Sequence, residues 1–173
     1  YEDMLEFARM HPECTFYYNG PCCGASAPDH HHFQGVPRGV MPLEADVEVV
    51  SKTKTENSGA HCHQLLSLTD GVIYHYDKFS TGIFVISAKT AGASSQLFER
   101  LLACAEIPEG DVEPRMNLFA WWTGEEYRTI VYLRRCHRSH HYFSDGPDHL
   151  TMSPGCADMA GVFIVPVEEE YHK

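Results

Sequence analysis

Positive charge is in short supply along this 173-residue chain: 13 Lys and Arg stand against 24 Asp and Glu, a formal net charge of −11. That balance argues against a nucleic-acid coat or an anionic membrane surface as partner, since both call for a broad positive field. A nucleotide stays open as a ligand, because a pocket needs only local positive potential. Also missing is any apolar run of the ~18 residues that a spanning helix requires. The first residues lack the pattern of a secretory leader. There is no internal repeat and no low-complexity tract. The seven cysteines form an odd set without regular spacing. Adjacent Cys22-Cys23 suggests no disulfide framework, so reduced thiols in a cytoplasm are the expectation. A starting methionine is absent too: the chain opens at Tyr1, inside a stretch that reads as a helix. The expectation is a single domain over 1–173 that is a fragment, or the C-terminal part, of a longer protein.

What is present is ordinary for a globular domain with a real core: 43% hydrophobic and 21% charged residues. Residues 3–11 read as a short helix, with Asp3 and Glu6 as a capping pair, Leu5, Phe7 and Ala8 as the apolar side, and Pro12 as the stop. Strands are expected at 15–18, 30–34, 47–50, 72–76 and 82–87, with Gly35, Pro37 and Gly39 breaking the second and a turn at Asp77-Lys78 before the last. Residues 51–64 read as a polar, exposed excursion. Ser94 or Ser95 is expected to cap a helix through about Ala105. Residues 107–114 form a loop, and 117–122 with 127–134 a hairpin. A His-rich polar loop runs from Cys136 to Pro154, then a short helix at 155–161 and a last strand at 162–167. Hairpins with few helices predict an α+β domain on a mainly antiparallel sheet with flanking helices.

The chemistry concentrates at 16–34. Phe16-Tyr17-Tyr18 runs into the turn signal Asn19-Gly20-Pro21. A loop of small residues follows, Gly24-Ala25-Ser26-Ala27-Pro28, and then His30-His31-His32-Phe33-Gln34. As an extended segment, its alternation puts His30, His32 and Gln34 on one face, and His31 and Phe33 on the other. Two imidazoles and an amide beside backbone N–H groups able to face an anion are the parts of a phosphoryl-transfer site. A solvated His loop and an adventitious metal site are the plainer readings of the same run.

This stretch resembles the histidine-triad (HIT) superfamily in its transferase branch. That branch holds galactose-1-phosphate uridylyltransferase, the diadenosine tetraphosphate phosphorylases (ATP adenylyltransferases) and the GDP-hexose phosphorylases. Its mark is His-x-His-x-Gln after an Asn and a Gly/Ser loop; the hydrolase branch carries a third His where this chain has Gln34. The later half is similar as well, in Asn117-Leu118-Phe119-Ala120-Trp121-Trp122, in the basic Arg134-Arg135-Cys136-His137-Arg138, and in Ser153-Pro154-Gly155 through Met159-Ala160-Gly161. The resemblance covers about 16–42 and 116–166.

The resemblance implies a HIT-like fold and a cytoplasmic nucleotidyltransferase of phosphorylase type. Its substrate would be a GDP-hexose or a dinucleoside polyphosphate, with His-x-His-Phe-Gln leaning to the GDP-hexose side. The acceptor would be a phosphate or sugar phosphate, and neither nucleic acid nor membrane is a partner. No cofactor is required, a divalent metal of unknown identity has room, and no residue is assigned as its ligand set. His32 would be the nucleophile, and imidazole can split one displacement at phosphorus into two. Gln34 can hydrogen-bond a phosphoryl oxygen but cannot relay a proton. Gly24, Ala25 and Ser26 would hold non-bridging oxygens, and Asn19 would orient His32 or the loop. His30 is a second orienting group or, as in some uridylyltransferases, a metal ligand. Arg38, Arg134, Arg135 and Arg138 are candidates for distal phosphates or plain surface charges. A nucleotide hydrolase and a non-catalytic nucleotide-binding or interaction domain are the alternatives. His137, His140, His141 and His149 read as solvated, and His61-Cys62-His63 could take zinc only with ligands from elsewhere. Trp121 and Trp122 read as sheet packing, one inward and one outward.

Overall fold

Met116–Trp122 and Tyr127–Leu133 are apolar almost throughout, and such strands need cover on both faces. The computed structural model, which describes residues 1–52, 61–77 and 82–172, provides that cover. The described elements are α1 (Glu2–Met10), β1 (Cys14–Asn19), β2 (Gln34–Pro37), α2 (Pro42–Lys52), β3 (Cys62–Leu68), β4 (Gly71–Tyr76), β5 (Ile83–Ala88), α3 (Ala91–Leu102), β6 (Met116–Trp122), β7 (Tyr127–Leu133) and α4 (Cys156–Met159), with short 3-10 turns between and after them. The strands form one sheet in the order β2-β1-β6-β7-β5-β4-β3, and every neighbouring pair is antiparallel. The chain is α+β. Among the described residues no helix is long and apolar enough to cross a membrane.

On one face α1 and α3 bring Met4, Leu5, Ala8, Leu97, Phe98 and Leu101 onto Phe16, Tyr18, Leu118, Trp122 and Val131. On the other, Met41, Leu43, Val47 and Cys156 pack on Phe119, Trp121, Ile130 and Tyr132. The adjacent tryptophans therefore face opposite cores, and both are buried; neither faces water. The β6–β7 hairpin closes on Trp122 opposite Tyr127, with Gly124 at φ 102° in the turn, a conformation that glycine adopts without strain.

Several local expectations give way to tertiary context. Residues 47–50 are helical, not a strand: Pro42 opens α2 at the position where a missing N–H costs nothing, and the four-residue step from Leu43 to Val47 buries both. That spacing overrides the β-branched propensity of the valines. The cap of α1 is Tyr1 rather than Asp3, with no side-chain cap bond. Its apolar side is Met4, Leu5 and Ala8, while Phe7 is half exposed. Thr90 caps α3, its Oγ1 accepting from Ala93 N at 3.1 Å, and Ser94 lies inside the helix, bonded to the Tyr1 hydroxyl. Within the expected excursion, 51–52 end α2 and 62–64 begin the edge strand β3, preceded by His61, which is bonded to Asp77; residues 53–60, and Lys78 of the expected turn, lie outside the described residues.

Nor is 162–167 a strand: Phe163 and Ile164 are exposed, and the segment is held by Ile164 N donating to Asp158 Oδ1 at 2.8 Å. The strand expected at 30–34 instead begins at Gln34 and runs through Gly35 and Pro37. A proline is tolerated there because β2 is an edge strand, and Gly35 leaves room for the Phe16 ring, which a Cβ would approach to 2.9 Å.

Trp121 is fully buried, so Trp121→Ala should cost about 3–5 kcal/mol. Met10→Ala, at an exposed site on α1, should stay within ~0.5 kcal/mol. Denaturant midpoints of the two variants check this, and similar shifts would contradict the core assignment.

Candidate functional site

Two cavities meet at Asn19, the last residue of β1. One, of about 200 Å³, is lined by Ala25, Ala27, His30, His31 and His32 together with Tyr18 and Glu113. The other, of about 300 Å³, is lined by Gly24, Ser26, Gln34, Thr151, Ser153 and Gly155 among others. The loop thus turns alternate residues toward each.

His30 to Phe33 precede β2 as irregular chain, so the strict alternation does not hold: His31 lines the first cavity together with His30 and His32, and also reaches the side of β1 where Phe33 lies. The rings of His30 and His32 lie 5.2 Å apart. His31 stacks on Tyr18 at 5.0 Å, and Phe33 meets Phe16 and Phe7 edge-on. Gln34 pairs with Tyr17 across the β1–β2 ladder. The expected trio is therefore split: His30 and His32 line the first cavity, Gln34 the second. Irregular backbone between them breaks the period that would have joined them.

The hydrogen bonds fix the state of the two rings. His32 Nδ1 lies 3.1 Å from the carbonyl oxygen of His30. A carbonyl only accepts, so Nδ1 carries a proton, and in the neutral ring the lone pair is on Nε2. His30 Nδ1 lies 3.1 Å from Asp29 Oδ1, both groups well exposed, which likewise puts its proton on Nδ1.

The walls between the cavities are held by fully buried Asn117. Its Nδ2 donates to Asn19 Oδ1 and to the Cys23 carbonyl, each at 2.8 Å. Its Oδ1 accepts from Arg134 at 3.1 Å. Arg134 also donates to the carbonyls of Pro154, at 2.6 Å, and His137, at 2.8 Å. Asn19 Oδ1 takes a further bond from Cys156 N at 2.7 Å. The glycine loop and the Ser153-Pro154-Gly155 segment are thus drawn against one sheet end. Gly24, at φ 88°, sits so close that a Cβ there would lie 2.5 Å from Gly155 Cα. Asp158 completes the turn by accepting from Gly155 N at 2.9 Å.

The arginines divide. Arg134 is committed to the backbone as above. Arg138 donates to Ser153 Oγ at 2.9 Å and lies over Tyr142, so it stands behind the second cavity. Arg135 is exposed. Arg38 lies at the opposite end of β1 and β6, bonded to the Trp122 carbonyl at 3.0 Å and 3.9 Å from Glu44. None of the four lines either cavity. His137, 3.4 Å from Ser153 Oγ, is held below the usual imidazole range by burial and then by Arg138, Arg134 and Arg115. His61 and His63 share Asp77, at 2.8 and 3.5 Å; among the described residues no group of three His, Cys, Asp or Glu is placed to hold a metal.

Sequence reasoning missed Asn117 and Glu113 as parts of the site. An amide in the otherwise apolar run Met-Asn-Leu-Phe-Ala-Trp-Trp was the available signal for the first. A buried amide there needs several partners.

A family model described as a domain of unknown function (DUF4922) matches residues 1–37, from α1 through β2 and including His30, His32 and Gln34. No curated protein and no solved structure matches the chain.

Burial holds the Cys23 thiol up at about 11, so it is protonated at pH 8; burial also pushes Cys156 up. Because the folded Cys23 ionises above its ordinary 9.0, its stabilising effect is complete below that value and fades as pH rises toward the folded one. At pH 8 a thiol reagent should react quickly with exposed Cys104 and Cys136 and slowly with Cys23. Asn117→Ala should cost about 1–3 kcal/mol by orphaning its partners and should accelerate Cys23. Unchanged Cys23 reactivity would contradict the role given to Asn117.

Proposed function

We propose that the chain is a HIT-like nucleotidyltransferase of the phosphorylase type, acting on a nucleoside diphosphate sugar or a dinucleoside polyphosphate through a nucleotidyl–His32 intermediate. The observation that carries this reading is the His32 Nδ1 bond to its own segment's carbonyl, at the edge of a cavity. It leaves Nε2 as a nucleophile that needs no base to remove a proton.

The Nε2 lone pair attacks the α-phosphorus. The N–P bond forms as the P–O bond to the remaining phosphate breaks, and the electron pair leaves with that phosphate. The positive charge developing on the imidazole is spread toward the His30 carbonyl through Nδ1–H. A phosphate or sugar-phosphate acceptor then attacks phosphorus, and the pair of the N–P bond returns to Nε2. Both leaving group and acceptor are already anionic, so little proton transfer is needed. Gln34, Ser26 and Thr151 line the adjoining cavity and carry hydrogen-bonding groups suited to phosphate oxygens, and Gln34 cannot take a proton from an attacking water. Convergence of the glycine loop and the Ser153-Pro154-Gly155 segment supports the reading, since both carry the resemblance.

The test follows protein-bound label after exposure to α-labelled nucleotides. Label should be acid-labile and base-stable, persist in plain buffer and vanish on adding phosphate or a sugar phosphate. His32→Ala should abolish it, and Gln34→His should shorten its life in buffer. Rapid loss in buffer, unaffected by phosphate, would make the chain a hydrolase. No label from any nucleotide would favour a non-catalytic binding domain.

A further inference from the structure

A third cavity, of about 160 Å³, opens on the α1 and α3 side of β1 and shares Tyr18, His31 and Glu113 with the His32 cavity. Its remaining walls are apolar: Tyr1, Met4, Phe33, Phe98, Met116 and Leu118. Tyr1 and Phe98 stack at 4.1 Å, so one wall is a rigid aromatic surface. Such a slot suits a flat heterocycle. Because the two cavities share three residues, a ring in one and a phosphate at His32 can belong to a single ligand.

Glu113 is the acidic residue of that slot. Its Oε1 accepts from the Tyr18 hydroxyl at 2.9 Å. Burial and the Glu113 carboxylate both push the Tyr18 phenol up, so it remains a donor. A half-buried carboxylate beside a phosphate site is electrostatically unfavourable for a nucleotide unless the base supplies donors to it. Among the common bases, guanine alone presents two adjacent donors, the ring N1–H and the exocyclic amine. Adenine and cytosine put a lone pair next to their amine, and uracil flanks its single N–H with two carbonyls.

Resting on the nucleotidyl-transfer reading, we infer that the slot between α1, α3 and β1 takes the base of the substrate, and that Glu113 selects guanine there. The carboxylate receives N1–H and the amine, while Phe98, Phe33 and Met4 cover the ring faces. An amide at position 113 would instead offer one acceptor and one donor, the pattern that matches adenine.

Calorimetric titration of the 173-residue chain with GDP, IDP, ADP and UDP tests this. GDP should bind at least ~10-fold more tightly than the others, the range for hydrogen bonds to a charged group, and IDP, which lacks only the exocyclic amine, should already show the loss. Glu113→Gln should lose the GDP preference and gain toward ADP. If Glu113→Gln does not fold, the GDP–IDP comparison on the unaltered chain decides alone. Equal affinities for the four nucleotides, or a folded Glu113→Gln that still prefers GDP, would overturn the inference. A guanine preference without any His32 adduct would support the slot and overturn the covalent reading. An adduct formed with no base preference would do the reverse, and failure to bind any nucleotide would overturn both.

Discussion

The side-chain amide of Asn117 is the interaction on which the rest of the site depends. It sits in the most buried strand of the sheet, where an unpaired polar group costs about 1–3 kcal/mol, and it is paired at both ends. Each partner belongs to a different segment: Asn19 ends β1, Cys23 precedes the glycine loop, and Arg134 follows β7. Through Arg134 and Asn19 the network reaches Pro154, His137 and Cys156. Segments more than a hundred residues apart are thereby docked without an ion pair or a disulfide. This explains how a chain with so few cations can still devote an arginine to holding backbone carbonyls.

That docking also explains the small residues. Gly24 and Gly155 approach so closely that no Cβ fits at Gly24, and the left-handed backbone there disfavours any other residue. The same loop therefore lines two cavities. Alternate loop residues serve opposite sides, and Asn19 serves both. The His30–His32 pair and the Gln34 amide end up as neighbours across a partition rather than on one strand face.

Much of the fold was legible where periodicity was strong: the β6–β7 hairpin, α3, β4 and β5 follow from apolar runs and turn residues. Legibility failed where long-range packing decided. The valines of α2 look like a strand until Leu43 and Val47 are seen to share a buried face. Among the described residues the apolar 162–167 segment pairs with no strand, and Asp158 holds it instead. In the site, alternation did not carry over to the histidines, because 30–33 are irregular chain and His31 shares a cavity with His30 and His32; nor could it show Gln34 facing a different cavity. For the arginines the sequence offers two roles, distal-phosphate ligands or plain surface charges. The structure spends Arg134 and Arg38 on backbone carbonyls, which sequence spacing cannot reveal.

The central claim is that His32 keeps its proton on Nδ1 and its lone pair on Nε2. Nitrogen-15 NMR of the imidazoles at neutral pH reads this directly, with His32→Gln used to assign the ring. The account predicts a pyridine-like Nε2 and a pyrrole-like, protonated Nδ1 for His32. A protonated Nε2, or a tautomer mixture like that of free imidazole, would contradict it.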